Sequence, residues 1–578
     1  MKLISRFLSK YKKQAFLAPG LKLLEALMDL LVPLVVAQII DRGIYGHDTA
    51  FVRWMFVLLI VFGFVGMAFS FAAQWFAAQA SVGVACDIRQ ALFDRVQRFS
   101  YTELDTVGTD TLITRMTSDV NLVQNGLNLA LRLLLRSPFI VFGAMIMAFT
   151  IDVKSALIFA CALPVLSLIV FGIMNRSIPL FAKAQKALDR LLGKTRENLS
   201  GARVVRAFCK EKDEIDAFDE ANRSVNHLNL QVGRLNALMN PGTYLVINLA
   251  TIALIYLGAR RVDSGFILQG DLVALYNYMA QIVVELIKLA SLIISINKAL
   301  ACAGRIENVL TTESSMFYPT AAKAPTTGDG TAVRFEDVTF SYKDSGASAL
   351  EHISFTVLSG ETVGIIGGTG SGKTTLVGLI PRFYDVSEGR VCVDGRDVRE
   401  YGESELNEKI AVVPQAALLF AGSIRDNMKW GKSDASDEEI LSALDTAQAL
   451  EIVQNKPGAL DYAIEQGGRN LSGGQRQRLT IARALVKRVK ILILDDSASA
   501  LDFATDLKLR QALRTLGGET TVFIVSQRAA SVRHCDRILV LNDGRLVGNA
   551  GHEQLLKENA VYQEIYYSQF PEERGISA

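Results

Sequence analysis

Six stretches of this chain, at 16–41, 54–79, 133–151, 155–175, 241–259 and 270–297, are apolar and long enough to cross a bilayer, since a spanning helix needs about 20 predominantly apolar residues. No other feature restricts the fold as strongly. In hydrocarbon every backbone N–H and C=O must find an internal partner, so each stretch has to become a helix. Their spacing adds topology. Spans one and two, three and four, and five and six follow each other closely, whereas the long polar insertions 80–132 and 176–240 separate the pairs. Both insertions and the N-terminus are rich in Lys and Arg, which predicts a cytosolic location; Arg260 and Arg261 on the other side oppose this rule without overturning it. The insertions contain few helix breakers, so the spans are expected to continue beyond the membrane as paired rods. Each insertion has a polar knuckle, near 105–114 and 209–218, that either docks on a cytosolic domain or is a plain solvated turn. Residues 1–13 are basic and amphipathic, as an interfacial helix would be. No cleavable signal and no peptidase domain is read before the first span.

The composition changes after residue 310. Residues 311–331 are rich in Thr, Ala, Pro and Gly and predict a linker. Beyond them, β-like runs at 332–341, 353–357 and 362–366 alternate with helical segments, the pattern of a parallel-sheet α/β domain. The expected organisation is a transmembrane domain at 1–310, a linker at 311–331 and a soluble α/β domain at 332–578. The expected fold class is thus a membrane all-α six-helix domain fused to a cytosolic α/β domain. With 61 basic against 59 acidic residues the net charge is +2, which gives no electrostatic case for nucleic acid. Six cysteines without CxxC spacing argue for reduced thiols and against a disulfide or zinc framework.

The soluble part carries the chemistry. Gly367-Gly368-Thr369-Gly370-Ser371-Gly372-Lys373-Thr374 follows an expected strand and, with Thr375, opens an expected helix. It fits G-x-x-x-x-G-K-[ST] in its required context, so the cytosolic α/β domain is expected to be a P-loop NTPase. Glycines let backbone N–H groups wrap phosphates, Lys373 adds a point charge, and Thr374 offers a hydroxyl to Mg²⁺. The apolar run Ile491-Leu492-Ile493-Leu494 delivers Asp495 and Asp496 to a strand tip, where Asp495 suits Mg²⁺. Gln415 has an oxygen able to reach the same metal. Tyr342 can stack on a purine or simply fill a core. Leu471-Ser472-Gly473-Gly474-Gln475 opens another helix, so its amides form a second anion site. One P-loop cannot apply both that site and its own lysine to the same γ-phosphate, which points to a head-to-tail pair of such domains.

This combination resembles the ATP-binding cassette (ABC) family, and six spans before one cassette resemble a half-transporter of its exporter type. The resemblance covers nearly the whole chain, including Gly265-Phe266-Ile267-Leu268-Gln269-Gly270-Asp271-Leu272 before span six and Ser499-Ala500-Leu501-Asp502. It implies ATP and Mg²⁺ as cofactors, with Tyr342 on the adenine, 367–374 on phosphate and Mg²⁺, and Gln415 coupling nucleotide to the spans. It further implies that Ser472, Gly473, Gly474 and Gln475 close the ATP of an opposing subunit, that Asp502 crosses the dimer interface, and that the two knuckles are coupling helices.

Two positions depart from the family pattern. Asp496 stands where a catalytic glutamate is expected, and Gln527 where a switch histidine is expected. Asp496 is shorter by one C–C bond, about 1.5 Å, and a misplacement of about 1 Å can cost 10²-fold in rate. Gln527 donates a hydrogen bond but carries no charge, so it stabilises the transferring phosphoryl group less. The reading is a heterodimer: this chain's own site is degenerate, while its Ser472–Gln475 segment completes the active site of a partner half-transporter. The expected activity is ATP-driven export, by alternating access, of an amphipathic drug, lipid or peptide across the cell membrane. The rival readings are a slow homodimer, an ATP-gated channel or regulator, and an exporter-fold importer. Charged residues in or near the spans (Glu25 and Asp29, Arg132 and Arg136, Glu285 and Lys288) sit at i,i+3 or i,i+4 spacing, so each two share a helix face. Such residues favour a cavity or a partner: Glu285 and Lys288 either form a mutual ion pair or contact substrate, and Arg132 and Arg136 are expected to snorkel to head groups. Tyr276, Tyr278 and Met279 line a pocket or pack a core.

Overall fold

The computed structural model describes residues 2–319, 330–343, 345–515, 518 and 520–575, and divides the chain into two compact units, 1–97 with 110–312 and 98–109 with 313–578. Residues 320–329 of the expected linker, Met1 of the leader and 576–578 at the C-terminus lie outside the described residues.

In the first unit, among the described residues, six helical runs are long and apolar enough to cross a membrane: Leu3–Ile44, Thr49–Val96, Thr109–Ile151, Val153–Ser200, Glu211–Asp263 and Gln269–Thr311. The helices Thr49–Val96 and Val153–Ser200 have 48 residues each. At 1.5 Å per residue each is about 72 Å long, more than twice the hydrocarbon thickness of about 30 Å, so they run on as rods. Each begins at an aspartate cap. The Asp48 side chain accepts from the amides of Ala50 and Phe51, and that of Asp152 from Ser155. Asp152 also holds Arg261 at 2.6 Å, which accounts for an arginine on the side the positive-inside rule disfavours.

Lys22, Glu25, Asp29, Arg136, Glu285 and Lys288 form one connected network. Arg136 lies 2.8 Å from both Asp29 and Glu285, and Glu285 also accepts from Ser137 at 2.7 Å and Lys288 at 3.0 Å. Lys22 pairs with Glu25 at 2.5 Å. The expectation that Arg136 only snorkels is therefore corrected: burial of Glu285 to 4 % exposure demands a partner. Tyr278 and Met279 are core residues, with the Tyr278 hydroxyl donating to Leu30 O at 2.6 Å, whereas Tyr276 is exposed.

The knuckles fall earlier than expected. The first short helix is Tyr101–Val107, started by a Ser100/Glu103 capping box and stopped by Gly108 at φ +78°. The second is Ala202–Ala207, set between Gly201 and a turn at Cys209, φ +52°.

The second unit holds two main sheets. Strands Arg537–Asn542, Thr362–Gly367, Thr521–Val525, Ile491–Asp495 and Ile410–Val413 are parallel neighbours in that order, with Arg545–Ala550 antiparallel at one edge. These strands are nearly continuous apolar runs because both faces are covered. The first two strands, Thr331–Phe340 and Leu350–Leu358, pair with each other antiparallel and join Glu388–Val393 in a separate sheet. The expectation of a single parallel sheet is corrected there. Only nine residues, 341–349, separate these two strands, enough for a hairpin but short for a helical crossover, which needs a dozen or more.

Candidate functional site

The site lies at the carboxyl ends of the parallel strands, where open α/β sheets place their ligands. Strand Thr362–Gly367 turns through 368–372 into helix Lys373–Leu379. Glycine is required at two positions. A Cβ on Gly367 would lie 2.3 Å from the Leu541 carbonyl oxygen, and Gly372 sits at φ +93° with Leu350 2.7 Å from where its Cβ would be. The turn brings the Lys373 amine to 3.0 Å from Gly367 O, 2.6 Å from Gly368 O and 3.3 Å from Ser371 Oγ. These partners are neutral, so the cation is positioned without being neutralised by them. Burial lowers its pKa, opposed by the charges of Asp496 and Asp495.

A cavity of about 370 Å³ opens over this loop. Thr369, Gly370, Gly372, Lys373, Thr374 and Thr375 form its floor, and Tyr342, Gln415, Asp495, Asp496 and Gln527 line it from other elements. Thr374 Oγ1 donates to Asp495 Oδ1 at 3.2 Å. This hydroxyl and carboxylate, with the Gln415 amide on the same cavity, are the hard oxygen donors that suit Mg²⁺. Burial raises the pKa of Asp495, helped by Asp496 and opposed by Thr374 and Lys373; burial likewise raises Asp496, opposed by Arg528 and Lys373. A divalent cation fits this pair of desolvated carboxylates beside one lysine. Tyr342 meets Phe340 and Tyr384 edge to face and shares a 2.9 Å hydrogen bond with Thr375.

Asp496 occupies the left-handed region at φ +46°. Its carbonyl accepts from Ser499 N at 3.2 Å and Ser499 Oγ at 2.8 Å. Gln527 is exposed on the cavity side, and its backbone is clamped from the C-terminal helix Ala560–Gln569. There the Gln569 amide nitrogen donates to Gln527 O and its oxygen accepts from Ala529 N, each at 2.8 Å. Sequence reasoning missed Gln569, because nothing marks a glutamine 42 residues away as a clamp.

Ser472 to Gln475 are not among the residues lining this cavity. They form a reciprocal cap on helix Gly473–Val486: Ser472 Oγ accepts from Gln475 N at 3.3 Å and Gln475 Oε1 from Ser472 N at 3.1 Å. Ser472 and Gly473 are exposed, leaving the helix N-terminus open to an external anion. The preceding turn is held by Asn470, which bonds Glu465 N at 3.1 Å and Ala463 O at 2.9 Å. Asp502 caps helix Phe503–Thr515 through Thr505 N at 2.9 Å and Thr505 Oγ1 at 2.8 Å, bonds that hold its pKa below the usual range.

Comparison with known proteins adds the following. Residues 16–286 match the family described as the ABC transporter transmembrane region, and residues 350–499 match the family described as ABC transporter. The chain is 37% identical, over 98% of both chains, to an uncharacterized ABC transporter ATP-binding protein of Mycobacterium tuberculosis. It is 30% identical to an ATP-dependent lipid A-core flippase of Desulfotalea psychrophila, over 97% of both chains. Its fold is similar to that of a bacterial Atm1-family ABC exporter with ATP bound, at a TM-score of 0.79 and 24% identity, covering 96% of this chain and 98% of the other.

Proposed function

The chain belongs to the ABC transporter family, as a multi-pass membrane exporter with a cytosolic ATPase domain, and from that premise we propose that it is the degenerate-site half of a heterodimer. One observation carries this reading. The cavity of this chain is furnished with Asp496 and Gln527, while Ser472–Gln475 is intact and capped, does not line it, and has Ser472 and Gly473 exposed. Two positions that act on the attacking water and γ-phosphate are altered, and the element that would act on another subunit's nucleotide is not.

In this reading ATP binds both sites. Here the P-loop amides and Lys373 take the phosphates, Tyr342 takes the base, and Thr374, Gln415 and Asp495 hold Mg²⁺, which neutralises phosphate charge when bound. Closure brings Ser472, Gly473, Gly474 and Gln475 onto the partner's γ-phosphate, with Asp502 at the dimer interface. Hydrolysis then runs mainly at the partner's site, and product release resets the membrane helices. The cargo class is an amphipathic small molecule, lipid or peptide. The relative named a lipid A-core flippase supports a lipid-like cargo.

The test is to purify the chain alone and together with the half-transporter it captures from its own membrane, and to reconstitute each in vesicles. The pair is expected to hydrolyse ATP and accumulate an amphipathic fluorescent dye. The chain alone is expected to do neither at a comparable rate. Equal hydrolysis and transport by the chain alone would establish the homodimer instead.

A further inference from the structure

The charge network of the first unit is mostly buried except at two members. Asp29 leaves 45 % of its side chain exposed and Lys288 leaves 47 %, whereas Lys22, Glu25, Arg136 and Glu285 are largely covered. Arg136 joins the two, reaching Asp29 Oδ2 and Glu285 Oε1 at 2.8 Å each, and Glu285 Oε1 also accepts from the Lys288 amine at 3.0 Å. Asp29 stands near the middle of the first apolar stretch, 16–41, and Lys288 lies in the sixth, 270–297. A half-exposed carboxylate at that depth faces a water-filled space and not hydrocarbon. Its short side chain cannot snorkel to the interface as a lysine does. Lys288 continues a face of helix Gln269–Thr311 on which Tyr276, Ala280 and Val284, spaced by four, are also exposed. That face is an apolar strip ending in charge.

Charge balance defines what fits there. The network holds three cations, Lys22, Arg136 and Lys288, and three anions, Glu25, Asp29 and Glu285. A guest of single charge would add net charge to a poorly solvated site, which is unfavourable; a guest carrying both signs would not. Beside Asp29, Gln281 donates to the Asp29 carbonyl oxygen at 3.3 Å, and its Oε1 has no donor among the described residues. This end is therefore short of donors. Lys288 has three donors and gives one to Glu285. We infer that Asp29 and Lys288 form a head-group subsite on the cargo path that selects a zwitterionic amphiphile. Its ammonium sits on Asp29, its phosphate or carboxylate on Lys288, and its tail along Tyr276 and Val284. The inference deepens the amphipathic-cargo reading and rests on it.

The experiment uses the full complex in phosphatidylglycerol nanodiscs and measures the concentration of added amphiphile that half-maximally changes ATP hydrolysis. The probes are lysophosphatidylethanolamine and trileucine, both zwitterions at neutral pH, lysophosphatidic acid, an anion, and dodecylamine, a cation. At least one zwitterion should act at a concentration at least fivefold below either singly charged probe, and which one does so tells a lipid head group from a peptide. Asp29→Asn should weaken the active zwitterion and dodecylamine at least threefold and spare lysophosphatidic acid. Lys288→Gln should weaken the zwitterion and lysophosphatidic acid and spare dodecylamine. A merely structural loss shifts all probes together. Ile287→Cys, on the same exposed face, should react with a water-soluble maleimide and be protected by the active zwitterion. A singly charged probe that matches the zwitterions, equal shifts of all probes in both variants, or an Ile287→Cys thiol that is covered or unprotected would overturn the subsite alone. No response to any probe would overturn the amphipathic-cargo reading and the subsite with it.

Discussion

The amide of Asp496 donates to the carbonyl oxygen of Val525 across 3.0 Å, tying the residue after one parallel strand to the end of its neighbour with Asp496 at φ +46°. Aspartate and asparagine are the non-glycine residues best suited to this conformation; most others lose about 1–2 kcal/mol there. Asp496→Asn should therefore fold and bind nucleotide normally. Asp496→Glu should lose about 1–2 kcal/mol of stability while gaining hydrolysis at this chain's own site, because the carboxylate reaches about 1.5 Å further. Thermal unfolding and single-turnover hydrolysis of the purified complex check both.

Thr374 and Asp495 share a 3.2 Å hydrogen bond and, in the proposed reading, one metal ion. Chelating Mg²⁺ should lower the affinity of this site for ATP in the unmodified chain. In Thr374→Ala and Asp495→Asn the affinity should already be low and respond little to chelation. Photolabelling with an azido-ATP, with and without chelator, reads the difference.

Arg136 is the hub of the membrane-domain network, 2.8 Å from both Asp29 and Glu285. Arg136→Ala strands buried Glu285 with fewer partners and should destabilise the protein by about 3–5 kcal/mol. Arg136→Lys should not restore it fully, because an ammonium lacks the fork that serves two carboxylates. The double variant Arg136→Leu with Glu285→Leu should be milder than Arg136→Ala. Unfolding temperatures in detergent test this ordering.

His552 packs against Tyr562 and Tyr566, with its Nδ1 2.8 Å from the Tyr562 hydroxyl. Burial lowers its pKa, with Arg533 adding and Glu553 and Glu573 opposing. The unfolded chain thus takes up a proton near pH 6.5 before the folded chain does, so stability falls as pH drops through and below about 6.5. His552→Gln should remove this component, giving a smaller loss of unfolding temperature between pH 7.5 and 5.5 than the unmodified protein shows.

Six spans, long helical insertions, the P-loop and the capped Ser472–Gln475 helix were legible because each is a local pattern with a fixed period or spacing. Elements resting on contacts distant in sequence were not. Arg136 and Glu285 are 149 residues apart, so helix spacing alone does not show that the fold bridges them. Tyr384 carries no local signal in the sequence, since its partner Asp105 lies 279 positions away. The short helix at Tyr101–Val107 was misplaced although its capping box, Ser100 and Glu103, stood in the sequence. The antiparallel sheet was hidden because strand-like runs do not state their direction of pairing.

The most direct test of the degenerate-site assignment compares two variants in the same purified complex. Ser472→Ala removes a helix cap aimed, in this account, at the partner's γ-phosphate, whereas Asp496→Asn alters only the site that does little hydrolysis. Steady-state ATP hydrolysis should fall by about 10²-fold or more in Ser472→Ala, the scale of losing one transition-state donor, and stay within twofold of normal in Asp496→Asn. Equal losses in the two variants, or a larger loss in Asp496→Asn, would contradict the account.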